Sequence, residues 1–315
     1  MSQEMPSLVM DENKLVIAAL IIPFSVAGTL IRIGVSRLQD YEGAPVFSLV
    51  YAQWIGCLIM GIALSNKSYL FQRLRYPAIY VAITSGLCGS ITTFSSWQLD
   101  IFKAFVNYNH LPHSRGKNVL AGLSQLLVTL AMSFQGFRWG QHTATESSVD
   151  VQVIPRGFSI QHLQWPDYSV VCFSLSCWLG VILAAVWTHD TNRELVLACV
   201  FAPLGALTRW SLSFLNTPRL PKGTLIANLV AVTILAILSL VRSRPINGMS
   251  CLFTQALADG YCGCLSTIST WITELDSLPR KSSYVYGTIS VVIAQCILFI
   301  VLGSSIWTLG TDSTC

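Results

Sequence analysis

Gly86-Leu87-Cys88-Gly89-Ser90-Ile91-Thr92-Thr93-Phe94-Ser95-Ser96-Trp97 is a glycine-punctuated, hydroxyl-rich run in the middle of an apolar segment. It does not suit an ordinary membrane helix, because Gly weakens helices and Ser and Thr compete for backbone bonds. A near copy, Gly260-Tyr261-Cys262-Gly263-Cys264-Leu265-Ser266-Thr267-Ile268-Ser269-Thr270-Trp271, lies in a second apolar segment far along the chain. At membrane depth a broken helix frees carbonyls and amides, which is tolerated only where they line a cavity or hold an ion. The blander reading of one copy is a small-residue motif that lets helices approach. Two copies, each followed by hydroxyls and an aromatic, point instead to a duplicated site.

Composition frames that site. Apolar residues make up 53% of the 315 and charged residues 11%, whereas a soluble domain carries roughly a quarter charged. A span needs roughly 20 apolar residues, so this chain reads as a polytopic protein of the lipid bilayer with about nine helices, leaving no room for a soluble catalytic domain. The net charge of +4 is scattered and gives no case for nucleic acid. Cys57, Cys172, Cys177, Cys199 and Cys296 sit in apolar runs, where free Cys acts as a small hydrophobe. No disulfide framework or zinc spacing is implied, and His110 and His113 have basic neighbours and no carboxylate partner. Residues 1–14 hold Glu4, Asp11 and Glu12 without a basic stretch before an apolar core, so a cleaved signal peptide is not expected.

Apolar runs near 15–38, 45–65, 77–106 and 118–139 form a first set, with the break in its third member. Residues 140–167 are polar and read as a linker. A lone run near 168–188 follows, then a second set near 195–215, 223–242, 250–275 and 284–309. This four-one-four order implies residues 1–139 as one repeat, 140–193 as linker plus inverting helix, and 194–315 as the other repeat. Four helices start and end on the same side, so one extra helix forces the second repeat upside down: an all-α inverted repeat whose third helices are broken. Ala27-Gly28-Thr29-Leu30-Ile31-Arg32 aligns with Leu204-Gly205-Ala206-Leu207-Thr208-Arg209. Gln53, with Gly56 and Gly61, aligns with Asn228, Ala231 and Ala236, giving each second helix one amide and small residues spaced for close packing.

The intramembrane polar inventory is two Arg, two amides and several hydroxyls, mostly donors suited to a small anion. Carboxylates are confined to Asp100, Asp259, Glu274 and Asp276 near the ends of the broken runs, and proton-coupled transporters usually rely on buried carboxylates or His. Apart from the two intramembrane arginines, Lys14, Lys67, Arg73, Arg75, Arg138, Arg156, Arg219, Lys222, Arg280 and Lys281 fall on the N-terminal side. Arg37, Lys103, Arg115, Lys117, Arg193, Arg242 and Arg244 fall on the other. The balance favours a cytoplasmic N-terminus and an external C-terminus. Asn66-Lys67-Ser68, a glycosylation pattern, then faces the cytosol and stays unmodified.

These residues resemble the Fluc and FEX fluoride channels, whose bacterial members are four-helix chains that pair antiparallel. Gly86 through Trp97 is similar to their Gly-x-x-Gly-x-x-Thr-Thr-Phe-Ser-Thr-Phe signature, with Trp97 in place of the final Phe, and the four-one-four plan is similar to the eukaryotic single-chain members. The resemblance covers nearly the whole chain. It implies a passive fluoride channel of the plasma membrane, not an enzyme, working as a monomer because both halves share one chain. It implies a pore of phenyl edges, amide and hydroxyls drawn from Phe94, Trp97, Trp271, Gln53, Asn228, Thr93, Ser95, Thr267, Ser269 and Thr270. Tyr286 and Ser290, four residues apart on the ninth helix, resemble a hydroxyl track, and Ser124 and Thr129 are a weaker match in the fourth run. The resemblance further implies a structural sodium ion held by the carbonyls of Gly89, Thr92, Gly263 and Ser266. Arg32 and Arg209 are expected either to draw anions into vestibules or to anchor helix ends.

The two halves depart from the signature in different places. Phe94 faces a Gln at position 53, while Asn228 is paired with Ile268 where the signature has Phe. One pore would combine Phe94, Trp271 and Asn228; the other, with Ile268, Trp97 and Gln53, would be vestigial. The competing readings are a proton-coupled small-anion transporter using Glu274 or Asp259, and a membrane enzyme or scaffold.

Overall fold

The computed structural model describes residues 14–67, 78–108, 110, 112, 114–145, 165–188 and 192–309, and among these every regular element is a helix. The first repeat comprises α1 (Lys14–Gln39), α2 (Val50–Ser65), an interrupted span of α3 (78–91) and α4 (Phe94–Phe105), and α5 (Arg115–Thr145). α6 (Trp165–Trp187) stands between the repeats. The second repeat has α7 (Arg193–Ser213), α8 (Lys222–Arg242), an interrupted span of α9 (248–265) and α10 (Ser269–Ser277), and α11 (280–309). Seven of these spans are long and apolar enough to cross a membrane, and α2 is a shorter apolar helix. With the interrupted span of α9 and α10, which belongs to neither group, these make the four-one-four order among the described residues. α5 runs on to Thr145, past the predicted end at 139, because hydropathy marks where lipid stops rather than where helical hydrogen bonding stops. The rest of the predicted linker, 146–164, lies outside the described residues.

Two contacts display the inversion. Lys103, at the end of α4, and Arg242, at the end of α8, line one cavity, and Arg138 on α5 ion-pairs with Asp276 on α10. A parallel duplication would put each of these pairs on opposite sides of the bilayer. α6 packs along α1 and α7 and otherwise exposes Phe173, Leu179 and Val186, so it serves as the inverting connection.

Each interrupted span enters its break through a π-turn, Ala82–Cys88 in the first repeat and Ala258–Cys262 in the second. Such widened turns leave the backbone incompletely bonded and frequently mark functional sites. The first helix of each repeat lies directly on its π-turn. A Cβ on Gly28 would fall 2.7 Å from the Leu87 carbonyl oxygen, and one on Gly205 would fall 2.2 Å from that of Tyr261.

The repeats differ in how their second and fourth helices meet. α2 and α5 touch backbone to backbone: a Cβ on Gly61 would lie 2.2 Å from the Phe137 carbonyl oxygen, and on Gly140 2.1 Å from that of Leu58. Gly136 faces the Trp54 carbonyl in the same way, at 2.6 Å. In the second repeat Ala231 and Ala236 stand where Gly56 and Gly61 stand in the first, and the outer ends of α8 and α11 part around a cavity of about 220 Å³.

Candidate functional site

The two breaks meet in the buried centre and cap each other. Thr92 and Thr93 are extended (φ −95°, ψ 145° and φ −141°, ψ 125°), as is Ser266 (φ −91°, ψ 156°). The Thr92 hydroxyl accepts from the amides of Ile268 and Ser269 at 3.2 and 3.0 Å, covering the N-terminus of α10. In return the Ser266 hydroxyl accepts from the Ser95 amide at 3.0 Å, covering the N-terminus of α4. Hydroxyl pairs Thr92–Thr267 at 3.1 Å and Thr93–Ser266 at 3.0 Å knit the breaks together. Orphan amides at a helix start are ordinarily satisfied by the residue just before it; here the cap comes from the other repeat.

Each second-helix amide clamps the break of its own repeat. Gln53 donates to the Thr93 carbonyl at 2.7 Å and accepts from the Thr93 amide at 3.2 Å. Asn228 does the same to Thr267, at 3.3 and 2.9 Å. Gln53 thus makes the same two bonds as Asn228 despite its extra methylene, and each amide keeps one N–H beyond this clamp.

Arg32 and Arg209 line no vestibule. They are 3% and 5% exposed, and their guanidinium groups cross into the breaks. Arg32 donates to the carbonyls of Ser90, at 2.7 Å, and Asp259. Arg209 donates to those of Gly89 at 2.8 Å, Ser266 at 3.3 Å, Cys264 and Ser85. Gly89 and Gly263 leave room for them: a Cβ on Gly89 would collide with Arg209, and one on Gly263 with Arg32. A planar fork of five donors suits this multiple carbonyl contact. Vestibule cations are found elsewhere, at Lys103 and Arg242.

The same carbonyls bear on sodium. Gly89 and Ser266, one from each break, both direct their carbonyl oxygens at one cationic nitrogen of Arg209. The donor set, all backbone oxygen, suits a small hard cation, but the positive charge on which Gly89 and Ser266 converge is that of Arg209. Arg209 shares two of the four carbonyls. Among the described residues no group of three or more His, Cys, Asp or Glu forms another metal site.

Phe94, Trp97 and Trp271 form one aromatic cluster rather than two separate walls. Phe94 lies 5.6 Å from Trp97 and 5.5 Å from Trp271, edge to face in both cases, and the two indoles are 6.0 Å apart. All three are at most 2% exposed. The indole nitrogens point opposite ways: Trp97 donates to the Gln125 carbonyl on α5, Trp271 to the Ser290 hydroxyl on α11. Phe94 is therefore shared, and Ile268, 1% exposed, contributes no ring.

The α11 side of this cluster carries a line of linked polar groups, while the α5 side carries the buried hydroxyls of Thr129 and Ser133. From Trp271 the line passes to Ser290 and Tyr286 on α11, whose phenol donates to Glu274 at 2.8 Å. Glu274 also accepts from Thr224, one turn before Asn228 on α8, and from Asn216 at 3.3 Å. On the opposite side of the membrane lies the cavity lined by Lys103 and Arg242. With Trp97 set against Trp271 and Gly122 against Gly287, the matching first-repeat positions are Leu49, Asp100, Ala121 and Gln125. They hold no hydroxyl, and the seam of α2 with α5 lies further along both helices, where Trp54, Leu58 and Gly61 meet Gly136, Phe137 and Gly140. Ser124 is exposed and Thr129 buried, so Ser124 joins no such line. Thr93, Ser95, Thr267 and Ser269 are fully buried in the hydroxyl network, while Thr270 is partly exposed. The sequence reading missed Thr224, Asn216, Gln98 and Gln295. The one available signal was spacing: Thr224 precedes Asn228, and Gln98 follows Phe94, by four residues on one helix face.

A buried meeting of two inverted, mutually capped helix breaks lined by donors and aromatics, set among spans long enough to cross a membrane, marks a polytopic membrane permeation protein. Residues 19–137 and 196–304 both match the family described as CrcB-like protein, Camphor Resistance (CrcB), and the chain belongs to that family. It is 34% identical to Fluoride export protein 1 of Schizosaccharomyces pombe, covering 90% of this chain and 94% of that one. With Fluoride export protein 1 of Neurospora crassa it shares 30% identity over 91% of this chain and 66% of that one. A bacterial relative, Fluoride-specific ion channel FluC of Chromobacterium violaceum, is 32% identical over 36% of this chain and 94% of its own length, the proportion expected if one repeat here equals one bacterial chain. No solved structure matches.

Proposed function

We propose that this chain is a fluoride channel that exports cytoplasmic fluoride passively, through one path between α4, α8, α10 and α11. The observation that carries the one-path reading is the asymmetry of the repeats: Trp271, Ser290, Tyr286 and Glu274 are linked beside Asn228 on one side, and a glycine seam closes α2 on α5 on the other, where Thr129 and Ser133 stand buried. The positive edge of an aromatic ring can face an anion, and the remaining N–H of Asn228 can donate to one. Hydrogen fluoride enters cells neutral and dissociates in a near-neutral cytosol, trapping the anion. A negative interior then drives each fluoride outward with about 2.3 kcal/mol per 100 mV, so no coupled ion or nucleotide is needed.

Purified protein in liposomes, read with a fluoride electrode, tests this. Fluoride should leave under voltage alone, Asn228→Ala and Phe94→Ile should stop it, and Gln53→Ala should leave the path intact wherever the protein still folds. Loss of transport with Gln53→Ala alone, and not with the other two, reverses the assignment of the paths. Glu274 gives the proton-coupled reading its one specific support, being a half-buried carboxylate on the polar line. That reading requires a pH gradient for transport, and efflux without one removes it.

The resident membrane in this proposal is the plasma membrane, with a cytoplasmic N-terminus. The excess of Lys and Arg on that side supports the orientation. An impermeant thiol reagent that labels Thr217→Cys but not Asn247→Cys in intact cells would invert it. The chain acts as a monomer, because each break is capped from within the same polypeptide. A sodium ion at the carbonyls of Gly89, Thr92, Gly263 and Ser266 would add a fixed positive charge beside Arg209 and hold the breaks together.

A further inference from the structure

Gln98 lies one helical turn beyond Phe94 on α4 and one turn before Phe102, which lines the outer cavity with Lys103, Tyr108, Ser239 and Arg242. It is fully buried. Its partner is Gln295 on α11, whose side-chain nitrogen donates both to the Gln98 backbone carbonyl, at 2.9 Å, and to the Gln98 side-chain oxygen, at 2.8 Å.

The orientation of this amide pair is forced. A backbone carbonyl only accepts, so the atom Gln295 presents to it must be nitrogen. That nitrogen, already a donor, must then meet the oxygen end of the Gln98 amide. Gln98 Nε2 is thereby turned away, and among the described residues neither it nor the Gln295 side-chain oxygen has a partner. Leaving a buried N–H₂ unsatisfied is destabilising, a penalty that a ligand accepting its hydrogen bond removes. The neighbouring turns are apolar: Leu235 on α8 and Ala294 and Leu298 on α11 are buried in one cluster with Phe94, Leu99 and Phe102 of α4. An anion that had passed Phe94 and Asn228 would find no other side-chain donor at this level before the cavity with its two cations.

We propose that Gln98 Nε2 is a second binding station for the dehydrated anion, held in register by Gln295, between the Phe94–Asn228 level and the Lys103–Arg242 cavity. The inference rests on the path proposed above and adds a residue to it. The ligand class is a small, strongly hydrated monovalent anion, because a single amide donor in an apolar collar rewards charge density. Gln295 is a positioning residue, since it fixes which end of Gln98 faces the path.

Fluoride efflux from liposomes tests this with two variants. Gln98→Met keeps the length and removes the donor. Gln98→Glu keeps the oxygen that Gln295 binds and replaces the free N–H with an acceptor. A hydrogen bond to a charged group accounts for a drop in efflux of roughly ten- to a hundredfold in each variant, with an unchanged elution profile. A purely structural amide predicts loss with Met but retention with Glu, and that pattern overturns the proposal. If Gln98→Met transports at the wild-type rate while Asn228→Ala does not, the path stands and the second station falls. If neither variant nor Asn228→Ala affects efflux, the path and the station fall together.

Discussion

The α2–α5 seam makes a quantitative demand. Replacing Gly140 by Ala puts a carbon 2.1 Å from the Leu58 carbonyl oxygen, and replacing Gly61 puts one 2.2 Å from that of Phe137. Ordinary contact begins near 3.4 Å, so the helices must separate by about 1.3 Å and 1.2 Å respectively. The obstacle is backbone in both cases, and it cannot rotate away. Overpacking of this kind costs about 1–3 kcal/mol, which lowers the thermal midpoint by about 5 °C in a protein of this size. The two glycines face one another across the seam, so the second substitution enters a gap the first has already opened. The double variant should lose less than the sum of the singles. The assay is fluorescence-detected size exclusion of detergent-solubilised protein after a temperature ramp, with fluoride efflux measured on the surviving folded fraction. Efflux per folded molecule should stay at the wild-type rate, because the seam lies on the sealed side. The reasoning is refuted if Gly140→Ala leaves the midpoint in place, or if it slows efflux from fully folded protein.

Further outcomes follow from the breaks. Thr92→Ala and Ser266→Ala each remove a cap supplied across the repeats, and each should cost about 1 kcal/mol, seen in the same thermal assay; a midpoint unmoved by either shows that water caps these helices equally well. Arg209→Lys replaces a fork bonded to Gly89, Ser266, Cys264 and Ser85 carbonyls by a point charge on a flexible stem. It should cost at least about 3 kcal/mol and abolish the monodisperse peak, and wild-type behaviour would remove the guanidinium from the frame of the site. Exchanging sodium for N-methylglucamine should lower the thermal midpoint if the four carbonyls hold sodium, and an identical midpoint in both media counts against it.

The breaks were legible in the sequence because Gly, Ser and Thr inside an apolar run contradict their surroundings, and the inversion was legible because helix parity alone dictates it. The π-turns were not, since no residue type encodes a five-residue hydrogen-bond step and Ala82–Cys88 differs in sequence from Ala258–Cys262. Arg32 and Arg209 were recognised as a pair but misplaced. A charged residue near the middle of an apolar run reads as lining water, and only the tertiary arrangement reveals the carbonyls left over by the opposite break. The caps escaped for the same reason: Thr92 covers Ser269 across more than half the chain. Gly56 and Gly61 announced close packing, but Gly56 meets Cys88, Ile91 and Thr92 of the first break, and the partner surface of Gly61 on α5 carries Gly136 and Gly140 in a stretch too polar at its end to stand out.

Fusion into one chain explains why the seam and the polar line coexist. In an antiparallel pair of identical chains, every residue occurs in both pores, so glycines that seal one second helix against one fourth helix seal the other as well. Symmetry then forbids a closed side. Once the two copies share a polypeptide, Gly61 and Gly140 can close one side while Ala236 and Ser305 keep the other apart, and Phe94 can serve the open side while Ile268 replaces its counterpart. What symmetry still enforces is the centre, where each break needs the other for its caps and for its arginine. That is why Thr92 and Ser266, Gly89 and Gly263, and Arg32 and Arg209 remain matched while the flanking pore positions diverge. A chain in which the sealed half regained Asn at position 53 and Phe at 268 would still be closed, because the seam and not the amide sets the separation of α2 from α5.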